Sequence, residues 1–206
     1  MRPPIMLAVS SLSCLRGERR LFTGLGFALA SGEWLHVQGE NGTGKTTLLR
    51  ALVGLSPPAE GEILWQGQPI RELGEDYRRD MLYLGHHGAV KEELTPLENL
   101  QLAAALDGRQ LDDRATIQTL HRFGLKGRED LPVRFLSAGQ KRRVLLARLV
   151  TRAAKLWVLD EPFTALDAKA VDMLSDLIGE HLAAGGLAVL TSHQTMPIAG
   201  GKAIRL

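Results

Sequence analysis

The chain has 206 residues, 45% hydrophobic and 23% charged, with a formal net charge of +2 at pH 7. That length supports one substantial core and excludes a second large domain, and no apolar run approaches the roughly 20 residues that a membrane-spanning helix needs. So small a charge does not call for a nucleic-acid partner. The single cysteine, Cys14, permits neither an internal disulfide nor a thiolate metal site. The opening "MRPPIMLAVSSL" is broken by Pro3 and Pro4 and lacks the apolar stretch of a secretory signal, so the chain is expected in the cytoplasm.

"PIMLAVSSLSCL" and "RRLFTGLGFALASGEWLHVQGE" are short apolar runs broken by Gly and Ser, which predict an antiparallel β lobe leading into a buried strand over Trp34–Gln38. Cys14, within the first run, reads as a bland buried thiol. "TTLLRALVGL" has helical spacing and stops at Gly54, ahead of Pro57 and Pro58, and "GEILWQGQPI" predicts a hairpin. "DMLYLGHHGAVKEELTPLENL" predicts a strand running into a Gly-containing loop. Two amphipathic helices over "LTPLENLQLAAAL" and "RATIQTLHRFGL" begin a helical sub-lobe of about residues 92–152. The helix "AGQKRRVLLARLVTRAA", the strand "KLWVLDE", the helix "AKAVDMLSDLIGEHLAAG", the strand "GLAVLTSH" and a closing hairpin "GGKAIRL" finish the chain. Strands alternating with helices imply a parallel sheet covered on both faces, in one α/β domain over residues 1–206. The run Lys141–Arg143 reads as a solvated helix face. With 13 residues after His193, no C-terminal regulatory domain is expected.

Gly39-x-x-x-x-Gly44-Lys45-Thr46 fits the phosphate-loop pattern, with the strand before and helix after that the pattern requires. Glycines allow backbone N–H groups to turn inward, and the helix N-terminus adds its positive dipole end, so a di- or triphosphate is held by amides of Gly39, Glu40, Asn41, Gly42, Thr43 and Gly44. Lys45 would bridge β- and γ-phosphates, Thr46 would offer its hydroxyl to Mg2+, and Thr47 would reach the α-phosphate. "LWVLDE" is a buried strand presenting Asp160 and Glu161 at its C-terminal end, where ligands of open α/β sheets gather. Asp160 would hold Mg2+ through water and Glu161 would orient and polarise the attacking water.

With "LSAGQ" over Leu136–Gln140, following Lys45 and preceding Asp160 with 92 residues from Lys45 to Ser137 and 23 from Ser137 to Asp160, the chain resembles the nucleotide-binding subunits of ABC transporters. The resemblance spans nearly the whole chain and implies a P-loop NTPase fold of ABC type with an antiparallel β lobe and a helical sub-lobe. It implies ATP and Mg2+ as ligands and a head-to-tail homodimer. In that dimer Ser137, Ala138, Gly139 and Gln140 of one copy contact the ATP held by the other. A helix N-terminus beyond the chain's own phosphate loop is a second anion site, which suits that arrangement. "ALD" at Ala165–Asp167 resembles the dimer-contacting loop, and His193 resembles the switch histidine that meets the γ-phosphate. A lone histidine is more often structural, and its place after a strand in the right order favours the ligand reading.

Two positions depart from the family pattern. His87 stands where a Gln usually meets Mg2+ and links the site to the membrane partner, and a neutral imidazole can still ligate. Arg16 stands where an aromatic usually stacks on adenine. Guanidinium planes also stack, which predicts weak selectivity between ATP and GTP. A shared metal or haem role for His86 and His87 is disfavoured because successive strand residues face opposite ways.

Within the class, "SGEWLHVQGENGTGKT", "LYLGH" and "ELTPLENL" resemble the CcmA family of ATP-binding subunits in cytochrome c biogenesis. That resemblance implies haem export or release, CcmB-like and CcmC-like integral membrane partners, the cytoplasmic face of the bacterial inner membrane, and no nucleic acid. An ABC transporter of another small molecule is the alternative. A soluble ABC ATPase acting on nucleic acid would interrupt the span between phosphate loop and signature with a long coiled coil or zinc hook, and the 92-residue gap has neither.

Overall fold

Two sheets of different kinds organise the computed structural model, which describes residues 3–85, 90–193 and 196–206. A long hairpin of β1 (Ile5–Arg16) and β2 (Arg19–Ala30) opens the chain, followed by β3 (Trp34–Gln38) and α1 (Lys45–Leu52). Then come β4 (Glu60–Trp65), β5 (Gln68–Pro69), the short helices α2 (Ile70–Leu73) and α3 (Glu75–Asp80), and β6 (Met81–Leu84). Helices α4 (Pro96–Leu106), α5 (Asp113–Arg122) and α6 (Ala138–Thr151) precede β7 (Leu156–Leu159), α7 (Ala168–Ala183), β8 (Leu187–Thr191) and β9 (Lys202–Arg205). One sheet is antiparallel in the order β2-β1-β4-β5. The other runs β6-β7-β8-β3-β9 with every pairing parallel.

Period-two alternation along the parallel strands sorts their side chains into two cores. Leu156, Val158, Leu187, Val189, Leu35 and Val37 face α1 and the antiparallel sheet, together with Leu48, Leu49 and Leu7. Trp157, Leu159, Ala188, Leu190, Leu82 and Leu84 face the other way and pack with Leu100, Leu120, Leu145 and Leu174 of α4–α7. Because both faces are covered there, β6, β7 and β8 read as continuous apolar runs rather than alternating ones, whereas the edge strand β9 is largely exposed. Cys14 is buried in the first core, and burial raises its thiol pKa.

Local chemistry fixes where the helices begin. Thr95 and Glu98 form a reciprocal capping box with Pro96 in the first turn of α4; Asp112 caps α5 and Asp167 caps α7. Asn99 ties the preceding loop to α4: its side-chain amide donates to the carbonyls of Lys91, Leu94 and Thr95 and accepts from Lys91 N–H.

Two sequence expectations are corrected. "GGKAIRL" forms no hairpin; β9 is a single strand lying parallel beside β3, extended by Leu206 N–H donating to the Gln38 carbonyl. Its second glycine, Gly201, serves a close approach instead of a reverse turn. A Cβ on Gly201 would stand 2.3 Å from the Trp34 ring, whose indole N–H donates to Ala199. Nor is Lys141–Arg143 a solvated face, since none of the three is fully exposed. The first half of α6 crosses carbonyls and carboxylates of neighbouring loops. Lys141 pairs with Glu92, Arg143 with Asp167, and Arg142 donates to the backbone after β7. Helices α2 and α3 were not anticipated. They are short, and Tyr77 alone in them is buried, donating its hydroxyl to Leu52 at 2.6 Å.

Candidate active site

The C-terminal ends of β3, β7 and β8 lie on adjacent strands at one edge of the parallel sheet. The glycine-rich loop leaves β3, Asp160 and Glu161 leave β7, and His193 follows β8, so three segments far apart in sequence meet at that edge.

Steric necessity explains the first and last glycines of the loop. Gly39 and Gly44 have φ of 149° and 111°, and an added Cβ would stand 2.7 Å from Thr43 Oγ1 or 3.1 Å from Leu21 Cβ. Lys45 is buried, its Nζ donating to the carbonyls of Gly39 (2.8 Å) and Glu40 (3.0 Å), while the Thr43 hydroxyl donates to Glu40. Helix α1 begins with no side-chain cap and no acidic residue in its first turn. Its first amides are thereby left for an anion, at the dipole's positive end.

Across the cavity, Asp160 is 2% exposed and its two carboxylate oxygens are assigned separately. Oδ2 accepts from Thr46 at 2.9 Å and Oδ1 accepts from Thr191 at 2.6 Å. The Thr191 hydroxyl in turn accepts from Glu161 N–H at 2.8 Å. Glu161 has φ of 51°, and its Oε1 lies 3.3 Å from His193 Nε2 without the alignment of a hydrogen bond.

The cavity between these segments measures about 340 Å³. Asn41, Gly42, Gly44, Lys45, Thr46 and Thr47 line one side and Asp160, Glu161 and His193 the other, with Arg16 and Leu21 at its rim. Gly39, Glu40 and Thr43 do not line it; they hold the loop and Lys45 from behind. His86 and His87 lie outside the described residues. Three contributors were not anticipated. Leu21 gave no signal beyond its place in the first hairpin, and Arg142 was hidden in a basic run. Thr191 was visible only as a polar residue ending a buried strand.

Ser137–Gln140 lies elsewhere. Ser137 Oγ accepts from Gln140 N–H and Gln140 Oε1 accepts from Ser137 N–H, a capping box at the start of α6. Ser137 and Ala138 are exposed, and none of the four residues lines the cavity. Gly139 packs close under Ala165, where a Cβ would stand 3.2 Å from the carbonyl oxygen. Asp167 follows; the Ala170 N–H and then Arg143 hold its carboxyl below the usual range.

The donor set fits Mg2+. Thr46 Oγ1 and Asp160 Oδ2 are hard oxygen donors at the mouth of the phosphate loop. Among the described residues no three His, Cys, Asp or Glu side chains converge into a closed cage. A site of one hydroxyl and one carboxylate suits an ion that takes its remaining ligands from phosphates and water.

Residues 22–164 match the ABC transporter family. The chain is 56% identical over 196 residues to the cytochrome c biogenesis ATP-binding export protein CcmA of Dechloromonas aromatica, covering 95% of this chain and 96% of the relative. The Escherichia coli K12 protein of the same name is 48% identical, covering 98% and 95%. Among solved structures, an ATP-binding subunit of an ABC transporter superposes with a TM-score of 0.81 at 30% identity, covering 91% of this chain and 79% of that one. An ABC transporter ATP-binding protein from Pyrococcus furiosus shares the fold, with a TM-score of 0.84 at 24% identity and coverage of 97% and 96%. Phosphate loop, paired acids and histidine at one sheet edge, with matches of this extent, mean that the chain belongs to the ABC transporter family of ATP-binding proteins, in the branch of the CcmA relatives.

Proposed function

We propose that the chain is the ATP-hydrolysing subunit of a membrane transport complex that energises haem export or release for c-type cytochrome maturation. The observation that carries the reading is the convergence of the phosphate loop, Asp160, Glu161 and His193 on one cavity, while Ser137–Gln140 stays outside it. The name shared by the CcmA relatives supports the pathway.

In this reading Lys45 exchanges its two carbonyl partners for the β- and γ-phosphates of ATP, and the α1 amides hold the rest of the chain of phosphates. Thr46 and Asp160 would hold Mg2+, with His87 a further candidate ligand; when bound, the ion neutralises charge on the phosphates. Glu161 orients water toward the γ-phosphorus and takes up its proton as the bond to the bridging oxygen breaks, releasing ADP and phosphate. His193 meets the γ-phosphate beside it. Arg16 stacks on the base at about 0.5–1 kcal/mol, a sequence-tolerant contact that admits GTP.

A second copy completes the site, head to tail, by presenting its own Ser137, Ala138, Gly139, Gln140 and Asp167 to the nucleotide. Closing and reopening of that pair drives the membrane partners, CcmB-like and CcmC-like subunits. Among the described residues no helix is long and apolar enough to cross a membrane. We assign its place at the cytoplasmic face of the inner membrane to contact with those partners.

The test is genetic. The gene is deleted in its host and restored as wild type or as Glu161→Gln, and membranes and periplasm are stained for covalently bound haem. Loss of c-type cytochromes that only the wild type restores supports the reading. Normal cytochromes in the deletion strain overturn the haem assignment and direct attention to another small-molecule cargo.

A further inference from the structure

Glu161 sits in the left-handed region of backbone space, with φ of 51°, where a side chain other than glycine persists only if its surroundings hold it. Contacts on both sides of its α-carbon hold this residue, its carbonyl accepting from Thr164 N–H at 3.2 Å within the turn as well as from α6. Its N–H donates to Thr191 Oγ1 at 2.8 Å, from the end of β8. Its carbonyl accepts from Arg142 Nη2 at 2.7 Å, from the second turn of α6. The same guanidinium reaches the carbonyls of Asp160 at 3.2 Å and Pro162 at 3.4 Å, so one planar fork spans three consecutive backbone acceptors. Lysine, with a single point of donation, cannot reproduce that span.

We propose that Arg142 is a positioning residue for Glu161, setting the direction of its carboxylate from helix α6, the helix whose first turn carries Ser137–Gln140. The side chain spends its donors on the backbone of the hydrolytic loop and does not line the nucleotide cavity. Burial lowers the guanidinium pKa, and the nearby Asp160 and Glu161 charges oppose that shift. The flanking Lys141 and Arg143 tie the same stretch of α6 to Glu92 and Asp167, so the segment bearing Arg142 is braced on both sides. A small rotation of α6 at its Ser137 end would therefore be transmitted to the Glu161 peptide. The inference rests on Glu161 acting on the attacking water.

Arg142→Lys and Arg142→Gln are compared with wild type and Glu161→Gln for steady-state ATP hydrolysis and thermal unfolding. A misplaced catalytic group costs up to about 10²-fold, so Arg142→Lys is expected to lower kcat by roughly ten-fold or more. KM should stay within about two-fold of wild type, because the nucleotide contacts are untouched. In a Glu161→Gln background, Arg142→Lys should lower turnover no further, since the group it positions is already disabled. A wild-type kcat in Arg142→Lys, a KM that rises as kcat falls, or additive losses in the double variant would each overturn the proposal. The lysine variant keeps the charge and the stem, and decides the matter if Arg142→Gln fails to fold. Wild-type turnover in Glu161→Gln alone would overturn the assignment of the base instead, so the two failures are distinguishable.

Discussion

Glu161 Oε1 and His193 Nε2 stand 3.3 Å apart, projected from the ends of the adjacent strands β7 and β8. The pairing Leu159↔Leu190 fixes the register across those strands and so brings the two segments that follow them side by side at the sheet edge. Placed this way, they address the same end of the cavity. Glu161→Gln is isosteric and should lower ATP turnover by about 10²-fold or more while nucleotide binding persists. His193→Ala should lower turnover by roughly ten-fold or more with the fold intact, its side chain being exposed. Phosphate release measured beside equilibrium binding of labelled ATP checks both. Wild-type release from Glu161→Gln would remove this residue from the chemistry.

Thr191 is the shared support of both acids. Its hydroxyl donates to Asp160 Oδ1 and accepts from Glu161 N–H, with the residue fully buried. Thr191→Val keeps the shape and deletes the hydroxyl, leaving a buried donor and a buried carboxylate oxygen without that partner. Each such group costs about 1–3 kcal/mol. A melting temperature lower by several degrees, on the order of 2–4 °C per kcal/mol for a chain of this size, is expected together with reduced turnover. Thr191→Ser should retain most of both. An unchanged melt in Thr191→Val would mean that the hydroxyl contributes nothing net.

Much of this arrangement was legible in the sequence because it depends on local signals. The glycine spacing from Gly39 to Gly44 dictates a loop, the apolar run Leu156–Leu159 dictates a strand buried on both faces, and Asp160–Glu161 follows at the end where ligands collect. Thr95 with Glu98 and Ser137 with Gln140 announce helix starts by their own chemistry. Long-range partnership is what the sequence concealed. Nothing near Thr191 or Arg142 says that either will find the Glu161 peptide, because those contacts exist only after β7, β8 and α6 have packed. "GGKAIRL" misled for a related reason: a glycine pair usually signals a turn, whereas here Trp34, far earlier in the chain, demands the missing side chain at Gly201.

That demand is testable. In Gly201→Ala the new Cβ would fall 2.3 Å from Trp34 Cε2 and Cζ2, a clash with a ring anchored by its bond to Ala199. Overpacking of this kind costs about 1–3 kcal/mol. Denaturant midpoints should fall in Gly201→Ala and recover in part when Trp34→Leu is added, since the smaller side chain removes the collision. Equal losses that simply add would show that Gly201 is constrained by something other than the indole.

His181 supplies a pH dependence away from the active site. Its ring stacks on Trp157 with centroids 3.8 Å apart and planes 4° from parallel, and its Nε2–H donates to the Leu187 carbonyl at 3.1 Å. Gly186 makes room for it, as a Cβ there would stand 2.2 Å from the ring. Burial lowers its pKa below the ordinary 6.5, and the hydrogen bonds with Leu187 and Lys155 oppose that shift. Between the folded and unfolded values the unfolded chain binds more protons, so this group's contribution to stability is present above about pH 6.5 and is lost as pH falls toward the folded value. His181→Phe keeps the stack and cannot titrate. As pH is lowered from about 7.5 to about 5.5, the urea midpoint of the wild type should fall more steeply than that of His181→Phe, the other titrating groups being common to both. The phenylalanine variant gives up the bond to Leu187, so its midpoint at the higher pH is expected to be the lower of the two, and the gap between them to narrow on acidification. Parallel curves would mean that His181 enters the fold with its solution proton affinity unchanged, and the ring would then count only as packing for Trp157.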